Sequence, residues 1–113
     1  MENKVLSLLG LARRAGKLEL GFDAAASTAR NQKARLLLAA GDISEKTFKN
    51  LRYEGERAGV PVLRLKTGMK ETGQACGIKR AGVLAVTEQG FSEALRNAIE
   101  QRPEEKEERS YDD

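Results

Sequence analysis

The stretch ARLLLAA, residues 34–40, is short and, from Leu36 on, without a single polar residue. A strand with one wet face alternates apolar and polar positions; an unbroken run of this length fits a strand buried on both faces. GVLAV (82–86) has the same character. Two such strands need helices on both sides of them, and the flanking sequence supplies them. Upstream, Phe22, Ala25, Ala26 and Ala29 recur at helical spacing, and their small side chains permit close packing on a sheet. Before them lie a strand candidate, KLEL (17–20), and an amphipathic helix over about residues 2–15, marked by Val5, Leu8, Leu9 and Ala12 and closed by Gly16. Downstream, Ser44 is placed to cap a helix that turns Phe48, Leu51, Gly55 and Ala58 inward. AGVPVLRL (58–65) reads as a third buried strand, with Pro61 near its start where a missing N–H is tolerable. Thr67 is positioned to cap a short helix reaching Cys76 and stopping at Gly77, and Phe91, Ala94, Leu95, Ala98 and Ile99 mark the last helix.

This alternation predicts the α/β class: a three-layer α/β/α sandwich with a four-stranded, mostly parallel mixed sheet. Residues 1–101 form one domain. Residues 102–113 are a charged C-terminal tail, expected to be disordered because EEKEERSYDD has no apolar face.

Composition narrows the function. The chain of 113 residues has no His, the side chain most used for acid–base work at neutral pH, and one cysteine, Cys76, so no intrachain disulfide can form. Nothing resembles a signal peptide or membrane span, which predicts a cytoplasmic protein without a membrane partner. The glycines of LGLARRAG (9–16) and TGMKETGQACG (67–77) lack the spacing of dinucleotide or Walker loops and read as helix ends and close-packing positions. Cys76 has no histidine to act as its base, and Glu54 and Glu56, two apart on a helix, diverge and are expected to be solvated. No enzyme, cofactor or metal is expected.

Charge points to a polyanion. From Glu100 onward there are seven acids and three bases, leaving 17 bases and 10 acids before it. A basic body with a short acidic end suits nucleic acid. The turn GIKRAG (77–82) sets Ile78, Lys79 and Arg80 just ahead of a buried strand, on a loop held by rigid scaffold. Ile78 there is either a core plug or an exposed apolar tip, and an apolar tip beside an arginine is what an unstacked RNA base would meet.

The segments LLGLARRAGKLELG (8–21), ARLLLAAGDIS (34–44), VPVL (60–63) and ETGQACGIKRAGVLAVTEQGF (71–91), in this order and spacing, resemble the kink-turn-binding ribosomal-protein family, the relatives of archaeal ribosomal protein L-seven-Ae, and within it the small bacterial YlxQ-like branch. The resemblance covers residues 4 to about 99. It implies the same sandwich fold and binding to structured RNA, ribosomal RNA included. In the family a Gly-x-Asn-Glu-x-x-Lys motif at the start of the second helix reads guanine edges and phosphates, and the loop before the last strand packs an apolar residue and an arginine against bulged nucleotides. Carried over, Gly21 matches the motif glycine and Phe22 the position after it. Asp23 stands in place of asparagine, Ala24 in place of glutamate and Ser27 in place of lysine. Asp42 and Ile43 match the pair after the second strand, and Ile78, Lys79 and Arg80 fall in the bulge-facing loop.

The substitutions weaken base reading: an ionised aspartate only accepts, so it meets the acceptors O6 and N7 of guanine badly, and alanine offers nothing. Asp23 is also suited to capping its own helix, repelling phosphate. Nearby cations supply affinity, with Arg13, Arg14 and Lys17 before the motif and Arg30 and Lys33 after it. The reading is a non-enzymatic RNA-binding protein of the translation machinery. The competing reading is a protein-interaction module on the same fold that docks an acidic partner. No helix shows a second apolar stripe, which predicts a monomer.

Overall fold

In the computed structural model, which describes residues 3–101, five helices and four strands alternate. They are α1 (Lys4–Arg14), β1 (Leu18–Leu20), α2 (Phe22–Arg30), β2 (Leu36–Ala39), α3 (Glu45–Ala58), β3 (Val62–Arg64), α4 (Met69–Ala75), β4 (Val83–Val86) and α5 (Gln89–Glu100). The tail at 102–113 lies outside the described residues. The α/β/α sandwich holds: α1, α4 and α5 cover one face of the sheet and α2 and α3 the other.

The two unbroken apolar runs are the two central strands, and every residue of β2 and β4 is buried. Their side chains alternate between two cores. Leu36, Leu38, Leu84 and Val86 meet Leu9, Ala12 and Leu95 of the three-helix side. Leu37, Ala39, Val83 and Ala85 meet Ala25, Ala29 and Leu51 of the two-helix side. The alanines of α2 let that helix lie close to the sheet.

The sheet is mixed, in the order β1-β4-β2-β3, but it is not mostly parallel. Among the described residues only β2 and β3 pair in parallel; β4 runs antiparallel to both neighbours. β1, β2 and β3 do share one direction, as successive βαβ units require, and β4 is wedged against them. The cause lies in α4. Seven residues span only about 10 Å, and the chain after it folds back so that Ala81 N–H donates to Met69 O (3.0 Å). The strand that follows therefore starts at the end of the sheet where β3 finished.

Local boundaries also moved. α1 begins at Lys4 because Asn3 Oδ1 accepts from Val5 and Leu6 N–H. Ser44 caps α3 as its sequence suggested, accepting from Thr47 N–H at 3.1 Å. β3 is shorter than expected because α3 continues to Ala58 and Gly59 ends it in the left-handed region. Thr67 does not cap α4; its hydroxyl pairs with that of Thr72 at 2.9 Å, and the cap position belongs to Gly68.

Candidate nucleic-acid interface

One end of the sheet gathers four chain segments. β1 ends into Gly21, whose N–H donates to Val83 O at 2.8 Å, at the first residue of β4. The same end of β2 is tied to β4 by Ala40 N–H to Gly82 O (2.8 Å) and to the segment after β3 by Gly41 N–H to Thr67 O (2.8 Å). The start of α2, the turn at 41–44, the start of α4 and the loop 77–82 thus converge through backbone hydrogen bonds.

Gly21 turns into α2 with φ 100°, a conformation only glycine adopts without strain, and a side chain there would enter open space. It is the N-cap, and no side chain caps the helix. Asp23 is therefore not the cap; it is an exposed carboxylate in the first turn, where it suits the positive helix end. Phe22 is half-buried against the two-helix core, Ala24 is half-buried, and Ser27 is exposed. The first-turn N–H groups of α2 have no helical partners, as at any helix start.

The loop 77–82 is fixed from behind. Ile78 N–H donates to Gly73 O (2.9 Å), and Gly77 sits at φ 78°. A Cβ on Gly73 would lie 2.6 Å from Arg80 Cα and 2.7 Å from its N, so the backbone of Arg80 rests directly on that glycine. Lys79 and Arg80 are exposed and make no ion pair among the described residues. Ile78 is half-buried and packs on the three-helix core, as a plug more than a free tip.

Residues 3–96 match the family described as "Ribosomal protein L7Ae/L30e/S12e/Gadd45 family". The chain belongs to that family. It is 34% identical over 97 residues to "RNA-binding protein YlxQ" of Enterococcus faecium, an alignment covering 86% of this chain and 92% of that one. It is 33% identical over 93 residues to the protein of the same name from Bacillus subtilis, covering 82% and 92%. A solved Bacillus halodurans protein of unknown function superposes with a TM-score of 0.84 at 31% identity, covering 88% of this chain and 99% of that one.

Set against the family's motif, the structure separates the candidate residues into two groups. Gly21, Phe22, Asp23, Ala24, Asp42, Ile43, Ile78, Lys79 and Arg80 lie at the end just described, with Ser27 one turn further along α2. Ile43, only 8% exposed, packs in the two-helix core. Asp42 is exposed, but its Oδ1 accepts from Met69 N–H at 2.9 Å and so anchors α4.

Lys17, Arg30 and Lys33 are at the opposite end, beside the last residues of β4: Thr87 N–H donates to Lys17 O and Arg35 N–H to Val86 O. Arg30 is engaged there by Glu54, through Nε at 3.1 Å and Nη2 at 2.7 Å. Glu54 is therefore not solvated; it is 8% exposed, and its hydrogen bonds from Arg30, with help from Arg57, hold its carboxyl below the ordinary range despite burial. Arg30 is correspondingly raised.

Cys76 is buried, and burial pushes its thiol up against a smaller opposing pull from Arg13, which fits packing and not nucleophilic work. Among the described residues no helix is long and apolar enough to cross a membrane. Gly73 is the close-packing position its sequence suggested, though the sequence did not show against what. A glycine inside a short helix was its visible signal, but the partner it admits lies in another segment.

Proposed function

We propose that this protein binds structured RNA of the kink-turn type, as a monomer and without catalysis, in a ribosomal or translation-associated role. One observation carries the reading: Gly21 with the bare start of α2, and Lys79 and Arg80 on a loop braced by Gly73, stand at the same end of the sheet. A bent duplex offers that end two things together, a backbone close enough for the uncluttered first turn of α2 and unstacked bases for the loop. The family membership and the names of the two relatives support RNA as the partner. The exposed carboxylate of Asp23 reduces attraction for phosphate at the helix start, so recognition rests on shape and on the loop cations.

The test is fluorescence anisotropy with a kink-turn RNA, the same RNA with its sheared G·A pairs replaced, and a plain duplex, at low and near-physiological salt. Expected is preference for the kink-turn, weakened in Arg80→Ala. Equal, salt-labile binding to all three would remove shape recognition from the reading. Binding to none would leave the acidic-partner alternative in its place.

A further inference from the structure

Helix α3 presents an outer surface that the sheet-end reading leaves unused. Tyr53 is 57% exposed, and the Arg57 guanidinium lies 5.6 Å from its ring centroid. On the same helix, half-buried Phe48 has the guanidinium of Arg64 at 4.6 Å and that of Arg52 at 6.0 Å. Glu45, Phe48, Lys49, Arg52, Tyr53 and Glu56 line one open groove. Arg64 is held by Glu45 at 3.3 Å, whereas Lys49 and Arg52 are exposed and make no ion pair among the described residues.

A single exposed tyrosine needs no explanation. A tyrosine and a phenylalanine lining one groove, with Lys49 and Arg52 in the same lining and free of ion pairs among the described residues, have a defined chemistry: ring surface for stacking and cations for phosphates. An acidic peptide would be served by the cations alone, and a continuous duplex keeps its bases stacked on each other and offers the rings nothing. The matching partner is an unpaired nucleic-acid strand. We infer that the α3 groove is a second RNA contact, taking a single-stranded segment whose bases stack on Tyr53 and against Phe48 while its phosphates meet Lys49, Arg52 and Arg57. It rests on the proposed function only for the choice of RNA over DNA, since the groove belongs to α3 and the loop 77–82 is carried by α4.

The test uses the full chain and two labelled probes, a uridine decamer and a kink-turn duplex without overhangs, in anisotropy titrations. The decamer is expected to bind, to weaken about tenfold in Tyr53→Ala and to recover in Tyr53→Phe. Kink-turn binding is expected to ignore Tyr53→Ala and to weaken in Arg80→Ala. Absence of decamer binding, decamer binding indifferent to Tyr53→Ala, or an oligoglutamate peptide that binds as tightly and depends on Tyr53 would each overturn the inference. A Tyr53-dependent decamer with no kink-turn binding would uphold the groove and sink the sheet-end reading instead.

Discussion

The two ends of the sheet use their residues differently. At the end holding Gly21 and the loop 77–82, positioning is done by backbone groups and by missing side chains: Gly21 to Val83, Ala81 to Met69, Gly73 under Arg80. The cations there, Lys79 and Arg80, are left exposed. At the end holding Lys17, Arg30 and Lys33, the best-placed guanidinium is committed to Glu54 and ties α2 to α3. Counting positive charge would have ranked the ends alike. What tells them apart is that Arg30 is already paired, while Lys79 and Arg80 sit on a loop braced from behind.

The comparison can be broken most forcefully at Gly73. Gly73→Val drives a branched side chain into the Arg80 backbone, and is expected to cost about 1–3 kcal/mol in urea-unfolding stability and to abolish kink-turn preference; retention of both would mean that the loop is not braced there. Next in size, Arg80→Ala is expected to weaken RNA binding about tenfold and to lower the log–log salt slope by about one, against no more than about twofold for Lys17→Ala or Lys33→Ala. An equal loss from either lysine would erase the distinction between the ends.

The smallest effect belongs to Glu54→Gln. The folded-state pKa of Glu54 is depressed, so the pair's stabilisation is present above the carboxylate's unfolded pKa and is lost as pH falls through the folded one. Wild type should exceed the variant slightly near neutral pH and converge on it in acid, with a gap that narrows in high salt because Arg30 is 64% exposed. A gap that widens in acid would show the sign to be wrong.

Much of the fold was legible in the chain because it depends on local pattern. The unbroken runs around Leu36–Ala39 and Val83–Val86 could only be central strands, and Ser44 announced α3 three residues from its target. What could not be read depends on residues far apart in the chain. The direction of β4 follows from how far seven residues of helix reach and from one turn bond between Ala81 and Met69. The α4 start is held by Asp42, 27 positions away, and Arg30 finds Glu54 across 24. Ile43 and Ile78 looked equivalent as apolar members of a binding surface; only packing shows that the first is sealed beneath Met69 and Gly82 while the second is a half-exposed plug.

The placement of β4 also sets a timetable. Among the described residues β1 has no strand partner other than β4, with Glu19 opposite Ala85, so the first strand made is completed by the last. A nascent chain can pair β2 with β3, but β1 cannot complete its ladder until Leu84–Val86 are available. Closure across nearly the whole domain is a long-range event of the kind that slows folding, and the bond that fastens Gly21 to Val83 can form only with it.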